Sequence, residues 1–177
     1  MQGQARRALS GASAASVVIL RNEGSGGAGE ASTVRTFAPE QQILRRYRVI
    51  AVVGASDDLA KPAGYVPAYL KQHGYRIIPV NPTETEVLGE KSYPDLCSIP
   101  APVEVVDIFR RPHYVPAVVT EAIKIGAKAV WMQQGIVHEA AARRARKAGL
   151  EVVMDRCMKT ELRHLIEAGE LPADPSD

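Results

Sequence analysis

At 177 residues the chain is too short for two full α/β domains, and its 46% hydrophobic content is what one domain with a packed core requires. Lys+Arg 22 against Asp+Glu 20 leaves a net charge of +2, so bulk electrostatics points to neither a nucleic-acid binder nor a polybasic membrane binder. Two cysteines, Cys97 and Cys157, stand without CxxC or His/Cys ligand spacing. That pattern disfavours a disulfide framework and a structural zinc site, and it fits a reducing cytoplasm.

Residues 1–38 carry four Arg, five Ser, eight Ala and two acids, a balance that resembles organellar targeting composition. Their longest apolar stretch, Val17 to Leu20, is far below a secretory or membrane-spanning length. The run Glu23-Gly24-Ser25-Gly26-Gly27-Ala28-Gly29 buries too little to offset its ordering entropy, which reads as a flexible extension. The expected division is an N-terminal extension over 1–38, a folded domain over 39–169 and a tail over 170–177.

Gln41 to Tyr47 has the spacing of a short amphipathic helix with Ile43, Leu44 and Tyr47 on one face. It leads into Arg48-Val49-Ile50-Ala51-Val52-Val53, a β-branched run expected of a strand buried on both faces. Lys61 to His73 reads as a helix with Pro62 in its first turn and Gly74 at its end, and Pro67 implies a kink or a late start. A second strand, Arg76 to Val80, is followed by a polar linker with a turn around Asp95 to Ser98. Strand Val103 to Ile108, helix Tyr114 to Ile125, strand Ala127 to Met132, helix His138 to Lys147 and strand Leu150 to Met154 follow. Single apolar strands alternating with helices predict an α/β fold, a doubly wound parallel five-stranded sheet of the Rossmann-like kind. The strand order expected is 3-2-1-4-5.

Ligands of such sheets bind beyond the C-terminal strand ends where the strand order reverses, here expected between the first and fourth strands. The loop Gly54-Ala55-Ser56-Asp57-Asp58-Leu59-Ala60-Lys61 has the character of a phosphate cradle: Gly54 turns tightly, Ser56 offers a hydroxyl, and the next helix presents unpaired amides and a positive dipole end. An ordinary capped turn reads the same way. The nicotinamide pattern GxGxxG and an acid after the second strand are both absent, Asn81-Pro82 standing at the latter place, and no GxxxxGK[ST] loop occurs. Phe109-Arg110-Arg111-Pro112 brings an aromatic and two guanidinium groups to the same edge, as solvated surface or as phosphate and adenine contacts. Gln133-Gln134-Gly135-Ile136 supplies amides but no acid or base for proton transfer near neutrality. Cys157, beside Arg156 and Lys159, is either a reactive thiol or a small packing residue. Asp107 reads as a solvated strand end, Trp131 as core, and Arg143, Arg144, Arg146 and Lys147 as an exposed helix face.

The set Val53-Gly54-Ala55-Ser56, Val80-Asn81-Pro82, Asp107-Ile108-Phe109-Arg110-Arg111-Pro112, Trp131-Met132-Gln133-Gln134-Gly135-Ile136 and Asp155-Arg156-Cys157-Met158 resembles the small single-domain CoA-binding proteins of bacteria and archaea. Those look like the CoA-binding domain of the succinyl-CoA synthetase alpha subunit standing alone. The resemblance covers about residues 40–168. It implies coenzyme A as the cofactor, with CoA or acyl-CoA as the binding partner and no nucleic acid or membrane. Gly54, Ala55 and Ser56 would meet the phosphates with Lys61 nearby, and Asn81 and Pro82 would flank the nucleotide. Phe109, Arg110 and Arg111 would border the adenosine end, and Met132, Gln133, Gln134 and Gly135 would line the pantetheine path towards Cys157. The synthetase's phosphorylated histidine belongs to a second domain, so the expectation is a non-catalytic binder. The alternatives are a CoA-dependent ligase subunit that needs a partner chain, or a nucleotide-dependent oxidoreductase.

Overall fold

The apolar run at Val49–Val53 needs cover on both faces, and the alternation of strand and helix after it supplies that cover. The computed structural model describes residues 36–172. The expected extension, up to residue 35, and the tail beyond residue 172 lie outside the described residues.

Helix α1 (Pro39–Arg46) precedes strand β1 (Val49–Val53), helix α2 (Pro62–Gln72) and strand β2 (Arg76–Val80). A two-stranded antiparallel hairpin follows, β3 (Glu86–Val87) and β4 (Glu90–Lys91). Then come β5 (Val105–Ile108), α3 (Val115–Lys124), β6 (Ala129–Met132), α4 (Glu139–Lys147), β7 (Glu151–Val153) and α5 (Met158–Glu167). The main sheet has five strands in the order β2-β1-β5-β6-β7, every pairing parallel.

Side chains alternate between the faces along each strand, so two core layers form. Ala51, Val53, Val106, Ile108, Val130 and Met132 lie in one layer with Val118 and Val119 of α3 and Ala141, Ala142 and Ala145 of α4. Ile50, Val52, Val105 and Trp131 lie in the other with Leu44 of α1, Leu70 of α2 and Leu162 of α5. Trp131 is fully buried and its indole N–H donates to the Arg156 carbonyl at 2.7 Å, so the apolar ring costs no unpaired donor. Arg143, Arg144, Arg146 and Lys147 are exposed while the alanines of α4 face the sheet.

The strand order differs from the expected 3-2-1-4-5. In chain order the five main strands lie 2-1-3-4-5, and the reversal falls between β1 and β5 rather than between the first and fourth strands. The physical reason is Pro79. A proline cannot donate to a ladder and is confined to sheet edges. The Pro79 carbonyl faces outward, accepting from Tyr93 N–H at 3.0 Å, and Tyr93 returns its own carbonyl to Asn81 N–H at 2.9 Å. Tyr93 therefore occupies the flank where the expected order put the third strand. Val105–Ile108, buried at every position, takes a central place instead.

Helix α2 starts at Pro62 with Pro67 within it, so of the kink or late start expected from that proline the late start does not occur. Pro67 lacks the N–H that would bond the Ala63 carbonyl four residues back. That carbonyl accepts from Ser56 N–H instead, at 3.1 Å, and ties the first loop to the helix.

Candidate functional site

The sheet's reversal sets the loop after β1 directly beside the loop after β5. Gly54 joins them. Its φ is +89°, a conformation side chains resist, and a Cβ built there stands 3.2 Å from the Phe109 carbonyl and 3.4 Å from Cδ and Nε of Arg110. The Arg110 side chain thus lies across the bare Gly54 backbone. Gly64 performs the matching role on α2: a Cβ there would stand 2.7 Å from the Asp58 carbonyl carbon and 3.0 Å from the Ser56 carbonyl oxygen. Only a glycine lets the loop lie this close to the helix.

Within the loop, some amides are consumed and some are left. Gly54 N–H donates to Val80, Ser56 N–H to Ala63, and Lys61 N–H to the Asp58 carbonyl. Asp58 N–H donates to Ser56 Oγ and Ala60 N–H to Asp58 Oδ1. Ala55, Asp57 and Ala63 keep amides without a partner among the described residues; Ala63 stands in the first turn of α2, where such donors are expected, Asp57 is exposed and Ala55 is wholly buried. Unpaired amides beside a helix N-terminus are the donor set that anionic oxygens require. Lys61 is exposed, its ammonium 3.0 Å from Asp58 Oδ2. Hydrogen bonding from Lys61 and then from Ala60 N–H holds the Asp58 carboxyl below its ordinary range. Asp57 Oδ1 accepts from Leu88 N–H at 2.5 Å, fastening the loop to the β3–β4 hairpin.

Asn81 is spent on structure. Its amide nitrogen donates to the Ala55 carbonyl at 2.9 Å and its oxygen accepts from Thr83 N–H and Thr83 Oγ. Pro82 beside it is exposed. After β5, Phe109 is half-buried with its N–H on the Val53 carbonyl, Arg110 is half-buried and Arg111 is exposed.

The turn after β6 behaves differently. Met132 is fully buried in the layer under α3 and α4, and Gln133 is 4% exposed. The Gln133 amide nitrogen donates to both oxygens of Asp107, at 2.8 and 3.0 Å, and its oxygen accepts from Met158 N–H at 3.3 Å. Asp107 is therefore no solvated strand end: it is wholly buried, and desolvation pushes its carboxyl up to about 7 against the opposing effects of Gln133 and Ile108 N–H. Gln134 and Gly135 are exposed, with Gly135 N–H donating to Asp155 Oδ1 at 2.7 Å. Cys157 is half-buried at the start of α5 and has a free thiol. The Lys159 ammonium is held over the rings of Tyr65 and Tyr69, at 5.0 and 5.1 Å.

Sequence reasoning passed over Gly64, Asp57 and the Asp107–Gln133 pair. Gly64 had a signal, since a glycine inside a helix is costly unless something packs against it. Asp57 and Gln133 had none, because each reaches a partner distant in sequence.

Free amides by a helix start, arginines on the neighbouring loop and a central reversal in strand order mark a Rossmann-like domain without the dinucleotide glycine pattern. A model of the CoA binding domain family matches residues 48–163, and the chain belongs to that family. Protein YneT of Bacillus subtilis (strain 168) is 40% identical over 119 residues, which span 67% of this chain and 88% of YneT. A solved structure of a protein from Pyrococcus horikoshii OT3 is 41% identical with a TM-score of 0.71, over 78% of this chain and 99% of that one. An ADP-forming acetate–CoA ligase II of Archaeoglobus fulgidus is 35% identical over 104 residues, 57% of this chain but 16% of the ligase. Among the described residues no helix is long and apolar enough to cross a membrane.

Proposed function

We propose that this protein is a non-catalytic coenzyme A-binding protein that takes CoA or acyl-CoA with its diphosphate on the first strand–helix loop. The observation that carries the reading is the pair of amides at Asp57 and Ala63 left without a partner among the described residues, in the loop whose Gly54 backbone the Arg110 side chain lies across, in a chain of the CoA binding domain family. In this reading Gly54, Ala55 and Ser56 meet the phosphates, Lys61 adds charge once released from Asp58, and Phe109, Arg110 and Arg111 border the adenosine end. Asn81 and Pro82 flank the nucleotide as a scaffold. Met132 and Gln133, turned inward, hold up a pantetheine path bordered by Gln134 and Gly135 and ending near Cys157. A nicotinamide cofactor is disfavoured, because the Asn81 oxygen already serves Thr83 and no carboxylate stands there for a ribose hydroxyl. The free Cys97 and Cys157 accord with a cytoplasmic setting.

Calorimetry with CoA tests the reading. The wild type is expected to bind, and Gly54→Val to lose affinity at least about a hundredfold because a β-branched residue strains at this φ and fills the phosphates' approach. Equal affinity in a folded Gly54→Val would overturn it.

A second reading, a ligase subunit acting with a partner chain, is favoured by the likeness to the Archaeoglobus fulgidus ligase. Acyl-CoA formation from acetate, CoA and ATP on adding a candidate partner separates the two, since the first reading expects no turnover.

A further inference from the structure

Asp107 and Gln133 sit in the middle of the sheet's site-bearing edge, both buried, and the bond between them has no part in the reading above beyond Gln133's support of the pantetheine path. We propose that they form a buried positioning pair with two hydrogen-bond states, which sets the Gln133–Ile136 turn and the first turn of α5 for the pantetheine arm. The inference rests on the CoA reading above for its ligand and on the buried geometry for its mechanism.

Asp107 pairs across the sheet with Val52 on one side and Trp131 on the other, which places its carboxyl in the layer beneath α2 and α5. Ionised, a carboxylate only accepts, and Gln133 presents its NH2 to both oxygens. That choice turns the Gln133 oxygen towards Met158 N–H, one of the orphan amides at the start of α5. Strand β5, the end of β6 and α5 are thereby joined through one side chain. Protonated, Asp107 becomes a donor, and within the pair the only acceptor for its new hydrogen is the Gln133 oxygen. The amide must then flip, which sets its NH2 against Met158 N–H, donor facing donor. The first turn of α5, with Cys157 as its cap, loses its anchor.

No charged neighbour sets the protonation of Asp107. On the elements packed against this layer the titratable groups are Tyr47 after α1, Tyr69 and the exposed Tyr65 on α2, Tyr75 before β2, Cys157, and Lys159 and Glu161 on α5. None of them contributes to Asp107, whose protonation responds first to desolvation and then to Gln133 and Ile108 N–H. The exchange accordingly falls near neutrality.

Amide hydrogen–deuterium exchange at Met158 reads the device without any ligand. Protection, corrected for the intrinsic rate, is expected to fall at least about tenfold between about pH 8 and pH 6 in the wild type. It should stay flat in Asp107→Asn, and in Gln133→Leu it should be low at both pH values. A flat wild type, or the same step in Asp107→Asn, overturns the pair as a switch; if Asp107→Asn does not fold, high protection in Gln133→Leu does so. CoA titrations over the same range test the link to the site. Subtracting the Asp107→Asn profile removes the ligand's own phosphate titration, and a residual step at the exchange midpoint supports positioning, whereas superimposable profiles overturn it. Should CoA bind the wild type at no pH, the CoA reading fails and with it the positioning of pantetheine, while the exchange data alone decide whether the switch exists.

Discussion

The loop after β1 and the turn after β6 leave the same edge of the sheet, yet they handle polar groups in opposite ways. In the first, glycines at 54 and 64 remove side chains, so loop and helix approach closely and Ala55, Asp57 and Ala63 retain unpaired amides. In the second, side chains fold inward: Met132 joins the core and Gln133 spends its whole amide on Asp107 and Met158. A place for an anion arises where backbone donors are left over, and a support arises where side-chain polarity is used up. A buried polar group needs a partner, whereas the amides of exposed Asp57 and half-buried Ala63 in the first loop can wait for one.

The most severe way to break the comparison is Gly64→Val. Its Cβ would meet the Asp58 and Ser56 backbone rather than a yielding side chain, so denaturant unfolding should show a loss of about 3 kcal/mol or more, with CoA affinity falling alongside. Second is the pH dependence of stability through Asp107. Its folded pKa of about 7 lies above the ordinary 3.8, so the native state holds the proton more tightly and stability falls as pH rises from about 4 to about 7. At about 1.4 kcal/mol per pKa unit this contribution amounts to a few kcal/mol, and urea melts of Asp107→Asn across that range should lack it.

Arg110→Ala sharpens the comparison from the opposite loop. Loss of one charge-assisted contact, about 1.5–3 kcal/mol, should weaken CoA binding by about tenfold to a hundredfold while leaving the melting temperature nearly unchanged. Comparison with dephospho-CoA tells whether this guanidinium reads the 3′-phosphate, because an equal loss for both ligands excludes it. The smallest effect belongs to Pro67→Ala. A restored N–H competes with Ser56 for the Ala63 carbonyl, which should loosen the loop and cost CoA affinity by less than about tenfold, with stability shifting by no more than about 1 kcal/mol. Calorimetry and melting on one sample measure both.

The alternation of strands and helices was legible because each strand is an apolar run and each helix has a face, both properties local to the segment. The strand order was legible too, through Pro79, had its missing N–H been weighed: a strand carrying it belongs at an edge, and the assumed central place for Arg76–Val80 ignored this. At the candidate site, Gly54 announced itself as a glycine ending a strand. The burial of Asp107 did not. An aspartate three residues before an arginine pair looks solvated, and only the position of β5 between β1 and β6 shows that no water reaches it. Long-range partners such as Asp57 with Leu88, or Gln133 with Met158, follow from chain folding and leave no local trace.

Tyr93 has a consequence for the protein's life at high concentration. A parallel sheet ends in a row of free donors and acceptors on which another chain can lay a strand, the first step towards ordered aggregates. At the β2 border that row is interrupted twice. Pro79 has no donor to offer, and its carbonyl together with Asn81 N–H is already engaged by Tyr93. A second copy cannot extend the sheet there without first displacing Tyr93, whose ring also receives the Lys91 ammonium at 5.2 Å.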